Sequence, residues 1–184
     1  MKQLMITVKP EYLVDILNGN KTLELRTYML FKGWVNVYCG KGKPYLYKLD
    51  DNGNYYITNV KVNNEIYILN SKVVCRFWFD EYDVIEYDSE QHKSILNKSC
   101  LTLDQVNNYS KGQDLYAWHI KRLEIFPEPK ELGEFYKQLN YPNGEIITPN
   151  ICDCHIEHVY KECMNSFKLT HAPQKYAYVW GKEE

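Results

Sequence analysis

The chain has 184 residues, of which 45% are hydrophobic and 25% charged, with a formal net charge of −2. That mixture supplies a core and fits one globular domain; it is not the composition of a disordered, collagenous or coiled-coil chain. The net charge excludes polyanion binding by bulk charge, and no run of about 18 apolar residues is present to span a membrane as a helix.

Lys2–Val8, with Ile6, Thr7 and Val8, reads as a strand. A helix follows: Pro10 suits its first position and Glu11 complements its dipole. Leu13, Ile16 and Leu17 recur at helical spacing, and Gly19 is placed for a left-handed cap. The apolar start is short and soon interrupted by Lys9-Pro10-Glu11, unlike a secretory signal, so a cytoplasmic location is expected.

Trp34–Cys39 is a strand by composition, broken by Gly40-Lys41-Gly42-Lys43-Pro44. Residues 44–70 read as a β-hairpin insertion lying over a barrel, with Asp51-Asn52-Gly53 as its turn. Lys72–Phe79 is dense in β-formers and reads as a central strand. Thr102 and Gln105 have capping-box spacing and open a short helix. Leu115–Ile125 reads as one strand carrying Tyr116, Trp118 and Ile120 on one face, ended by Pro127 and Pro129. Glu131–Tyr136 reads as one or two helical turns, 140–172 as irregular, and Tyr176–Trp180 as the last strand. Short strands with Gly and Pro breaks and no long crossover helix predict a β-rich α+β fold, a small, partly closed barrel flanked by short helices. A parallel βαβ sheet is not expected.

The densest chemistry lies in Gly19-x-Lys21-x-x-Glu24-x-Arg26, just after the amphipathic helix. In an extended strand Glu24 and Arg26 share one face, and Lys21 on the preceding turn reaches the same space. A carboxylate beside a guanidinium is ionised and fixed in orientation. With the Thr22 hydroxyl these groups make a polar pocket with a phosphate-seeking cation; the bland alternative is an exposed strand with scattered charges. Residues 1–48 hold eight Lys/Arg against three Asp/Glu, and residues 49–184 hold fourteen against twenty-one. Such a split focuses a phosphate-bearing ligand on one face, or is ordinary scatter. The 17 tyrosines belong to sheet faces, or in part to base stacking.

A helix ending in Gly-x-Lys-x-x-Glu-x-Arg resembles the signature of the ASCH domain, a relative of the PUA domain. Val8-Lys9-Pro10-Glu11-Tyr12 is similar to the usual lead into that helix. Tyr116-Ala117-Trp118-His119-Ile120 resembles the family's late strand. Ala172-Pro173-Gln174 with Tyr176-Ala177-Tyr178-Val179 is similar to the closing loop and strand. The resemblance spans most of the chain and is strongest to the small ASCH proteins of phages and prophages. It implies one ASCH/PUA-like domain over 1–184, with the 44–70 hairpin and the 140–172 excursion as departures from the minimal domain.

The resemblance further implies a cleft beside the motif that recognises RNA or a nucleotide, with a regulatory role. Lys21 would contact phosphate or a base edge, and Arg26 a phosphate or Glu24. Glu24 would accept from an exocyclic amine, with Thr22, His119, Gln174 and Tyr176 completing the ligand set. Some relatives instead hydrolyse N4-acylated cytidine and others are described as ribonucleases; Lys21 and Glu24 would then be the catalytic pair. In the amidohydrolases the motif lysine acts with a threonine three residues later, a position held here by Glu24. A protein-interaction module of a phage, acting on a host factor through 44–70, is the third reading.

No cofactor is expected. Cys152-x-Cys154-His155-x-x-His158-x-x-x-x-Cys163 has zinc-ligand types; structural zinc on Cys152, Cys154, His158 and Cys163 competes with an exposed loop of incidental thiols. Cys39 and Cys75 lie in apolar runs and read as buried small hydrophobes. His119 reads as a wall residue or as a general acid or base. No P-loop, GxGxxG, HExxH or GxSxG pattern is present.

Overall fold

The computed structural model describes residues 2–30, 32–48, 54–62, 68–87, 90–137, 139–140, 146–147 and 166–181. Strand β1 (Lys2–Val8) leads into helix α1 (Pro10–Leu17), whose Pro10, Leu13, Ile16 and Leu17 are buried. Pro10 sits in the first turn, where its missing N–H has no helical partner to lose. Beyond the cap at Asn18, Gly19 turns left-handed at φ +75°, a conformation in which a Cβ is strained. The Asp15 carbonyl then accepts the N–H groups of Asn20 and Lys21 at 2.8 and 3.0 Å. This delivers the chain into strand β2 (Leu23–Arg26).

Strands β3 (Gly33–Cys39), β4 (Tyr45–Lys48), β5 (Tyr55–Thr58), β6 (Val73–Phe79) and β7 (Tyr82–Ile85) follow. Helices α2 (Gln91–Ser99) and α3 (Leu103–Ser110) come next, then β8 (Leu115–His119) and β9 (Lys121–Lys130). A 3₁₀ turn (Leu132–Glu134) precedes β10 (Phe135–Lys137), β11 (Leu139–Asn140), β12 (Ile146–Ile147) and the closing β13 (Tyr176–Gly181).

Six strands form one sheet in the order β10-β13-β1-β3-β6-β9, and three form a second in the order β2-β8-β7. Every neighbour is antiparallel except β1 and β3, which run parallel with Leu4 opposite Val35. The crossover between those two carries α1 and β2, so the eight-residue helix α1 suffices for one parallel pair. The main core joins both sheets: Leu4, Ile6, Val35, Val37 and Phe77 from one, Trp118 from the other. Phe79 and Trp118 stack at 4.5 Å between ring centroids. A second core lies under α2 and α3, where Ile95 and Val106 pack on Leu23, Leu25, Leu115 and Ala117.

The 115–130 stretch departs from its sequence reading. It is two strands in different sheets, with Ile120 at the corner and Arg122 beyond it at φ 45°. Pro127 and Pro129 do not end β9, because β9 is the sheet's edge and its register is irregular there. An edge position has no ladder partner on one side for proline to deprive. Strand β6 is interior but next to that edge. Residues 131–136 give a single 3₁₀ turn and then strand.

Helix α2 and strand β7 have no counterpart in the sequence reading. His92, Ile95 and Ser99 are the buried face of α2, so two of its inward positions are polar and mask the helical period. The capping box of Thr102 and Gln105 is present. Strands β4 and β5 pair as a hairpin against α1. Asn18 bridges them: its Nδ2 donates to the Tyr55 carbonyl at 2.9 Å and its Oδ1 accepts the Tyr55 N–H at 3.1 Å. The Asp51-Asn52-Gly53 turn lies outside the described residues. Among the described residues no helix is long and apolar enough to cross a membrane.

Candidate functional site

The period of two along β2 puts Glu24 and Arg26 on one face, and they form an ion pair with Nη2 2.8 Å from Oε1. The other carboxylate oxygen, Oε2, lies 3.4 Å from Lys21 Nζ. Lys21 is 3% exposed and Glu24 6%, so one buried carboxylate is shared by two cations. Burying such a group is tolerable only because it is paired and hydrogen-bonded.

Lys21 faces inward. Its ammonium donates to the Ser99 carbonyl at 2.9 Å, in the last residue of α2, and lies 5.9 Å from the centre of the Tyr12 ring. The Thr22 N–H donates to the Lys98 carbonyl at 2.8 Å. Residues 21 and 22 thus satisfy carbonyls that a helix end leaves open, with a cation at the negative end of the dipole. The Thr22 side chain is exposed.

Arg26 Nη2 also approaches the Thr7 carbonyl at 3.4 Å, while Nε is buried with no partner among the described residues. Burial opposes the guanidinium's charge. Glu24, Tyr28 and Tyr109 favour it, the last through a hydrogen bond, and the balance raises its pKa above the ordinary value. Tyr28 lies in the bend just after β2. Its hydroxyl donates to the Lys175 carbonyl at 3.0 Å, and its ring meets Tyr176 at 5.3 Å and the edge of Trp118 at 6.1 Å. Burial pushes the phenol up to about 12, against the pull of Arg26.

Trp118 stands opposite Glu24 in the β2–β8 register, and Tyr116 opposite Arg26. Trp118 is fully buried, and its indole Nε1 has no partner among the described residues. Gln174 is exposed in the closing loop, which the Thr7 hydroxyl ties to β1 by donating to the Pro173 carbonyl at 2.7 Å. Tyr176, at the start of β13, is 39% exposed.

The structure therefore brings Lys21, Glu24 and Arg26 together, with Tyr176 reached through Tyr28. It does not bring His119 to them. His119 pairs with Leu23 in register, one residue out of phase with the Glu24–Trp118 pair, and so lies on the opposite face of the sheet. Its Nε2 is 2.9 Å from Asp83 Oδ2.

Tyr12, Tyr28, Ser99 and Tyr109 are absent from the sequence-derived set. Tyr28 follows the motif closely in sequence; no local signal points to Ser99 or Tyr109, which arrive from α2 and α3. The segment with Cys152, Cys154, His155, His158 and Cys163 lies outside the described residues. Among the described residues no group of three or more His, Cys, Asp or Glu side chains is placed to hold a metal. Cys39 and Cys75 are buried, and burial raises both thiols, Cys39 to about 12.

No protein-family model and no curated protein matches the chain. Among solved structures, an ASCH protein from Zymomonas mobilis aligns with a TM-score of 0.50 at 13% identity, over 71% of this chain and 73% of that one. A variant of the same Zymomonas mobilis protein aligns at 0.46 and 13% identity, over 71% of this chain and 74% of that one. The fold is that of an ASCH domain, a β-rich α+β architecture in which α1, α2 and α3 are short.

Proposed function

We propose that the chain recognises RNA or a nucleotide beside the Lys21–Glu24–Arg26 array, against the rings of Tyr28, Tyr109 and Tyr176. The observation that carries this reading is the joining of a buried, cation-rich array to a set of tyrosines, two of which, Tyr109 and Tyr176, are each 39% exposed. Aromatic faces stack unpaired bases, and a guanidinium fixes a phosphate or a base edge. The ASCH fold, with the RNA recognition its resemblance implies, supports the same assignment.

Within this reading Lys21 builds the site rather than meeting the ligand, because its ammonium is engaged by Ser99 and Glu24. The same engagement argues against Lys21 as a nucleophile or base, which needs a free, deprotonated amine.

The test is equilibrium binding of a fluorescent single-stranded RNA and a panel of nucleosides and nucleotides, with turnover followed in the same samples. Binding weakened about tenfold by Tyr176→Ala, as expected for one lost stacking contact, supports recognition. Hydrolysis of N4-acetylcytidine or cleavage of the RNA, abolished by Glu24→Gln, would replace recognition with catalysis. A panel with neither binding nor turnover would remove both.

A further inference from the structure

Charge is not balanced in the buried array. Lys21 and Arg26 are cations and Glu24 is the one carboxylate within ion-pair reach of either among the described residues. Both Glu24 oxygens are already engaged, one by each cation. The array therefore carries one formal positive charge in excess where water screens it weakly, and the α2 end offsets part of it at Lys21. A buried charge of this kind calls for a counter-charge.

Two donors are also unmet. Arg26 Nε and Trp118 Nε1 are each buried without a partner among the described residues. Both are N–H groups and neither can accept, so what they lack is an acceptor. They belong to one face of the small sheet: Trp118 opposes Glu24, and Arg26 is two residues along from Glu24. A phosphate group carries several acceptor oxygens, one for each donor. The Tyr28 ring meets Trp118 at 6.1 Å with the ring planes 80° apart, and Tyr28 is electrostatically coupled to Arg26.

We infer that the missing partner is the phosphate of a nucleotide, its oxygens accepting from Arg26 Nε and Trp118 Nε1 and its charge completing the array. The inference rests on the recognition reading above and narrows it to anionic nucleotides over neutral nucleosides. Both donors are covered in the structure, so entry displaces tyrosine rings. Tyr28, which packs on Trp118, and the partly exposed Tyr109 on α3 are the rings that move.

The experiment uses the full chain, uniformly 15N-labelled, titrated with cytidine 5′-monophosphate, cytidine and inorganic phosphate. Four tryptophans give four indole N–H signals, and Trp118→Phe identifies the one from Trp118. The expected result is a shift of that signal with the monophosphate, and with inorganic phosphate at higher concentration. The monophosphate should bind about tenfold or more tighter than cytidine, as for hydrogen bonds to a charged group. Arg26→Lys, which keeps the charge but loses Nε, should remove most of that preference.

Equal affinity for cytidine and its monophosphate overturns the inference, as does monophosphate binding that leaves the Trp118 indole unmoved. Binding of single-stranded RNA without any response to the monophosphate overturns it too, and leaves RNA recognition standing. Absence of all binding removes both readings.

Discussion

Lys21 Nζ donates a 2.9 Å hydrogen bond to the carbonyl of Ser99, 78 residues further along the chain. A motif residue at the mouth of β2 thereby closes the end of α2. Lys21→Met keeps the length of the side chain and removes the donor. It should strip the Ser99 carbonyl of its partner at a cost of about 1–3 kcal/mol. Amide hydrogen exchange should speed up first across 91–99, with β1 and β3 protected as before. Uniform loss of protection, or none, would contradict the capping role.

Glu24→Gln leaves Lys21 and Arg26 as two buried cations with no carboxylate between them. Removing one partner of a buried ion pair costs about 3–5 kcal/mol. Arg26→Gln leaves a balanced Lys21–Glu24 pair and should cost clearly less. Urea unfolding of the two variants checks the order, and a Glu24→Gln protein as stable as the parent would refute the shared-carboxylate account.

Burial raises Tyr28 to about 12 and Cys39 to about 12, and moves Cys75 in the same direction. Each group is neutral when protonated, and the unfolded chain gives up these protons first, from about pH 9 for thiols and about pH 10 for the phenol. The stability held by the neutral forms is therefore complete below about pH 9 and is lost as pH rises toward about 12. Each buried thiol contributes a slope of about 1.4 kcal/mol per pH unit in that window. Urea midpoints measured from about pH 8 to about pH 11 should fall, and Cys39→Ala with Cys75→Ala should flatten the first part of the decline.

Asn18 is the clasp between α1 and the β4–β5 hairpin, through paired hydrogen bonds to the Tyr55 backbone. Asn18→Ala should cost about 1–2 kcal/mol, the sum of two net hydrogen bonds. Protease cleavage within 45–58 should accelerate more than cleavage elsewhere. Unchanged cleavage there would mean that the hairpin is held by its buried Leu46, Tyr47 and Tyr55 and by the bonds of Leu69 and Asn70 to the Leu46 backbone.

What the sequence determined by itself is local. Pro10 at a helix start, a stripe of Leu13, Ile16 and Leu17, Gly19 at the turn and period two from Glu24 to Arg26 involve neighbours a few residues apart, and each appears where the local rules put it. The resemblance carried by the same segment led to the fold that the Zymomonas mobilis structure shares. The tertiary structure decided which side chains surround that segment. Ser99 and Tyr109 reach it only because α2 and α3 pack over β2, and Trp118 only because β8 pairs with β2 in one register. One residue of phase removed His119 from the same face. Residues 115–130 became two strands because the chain turns from one sheet into the other, and two prolines survive in the second because it lies at an edge. Burial, charge balance and unmet donors arise between residues far apart in sequence, and no short-range pattern encodes them.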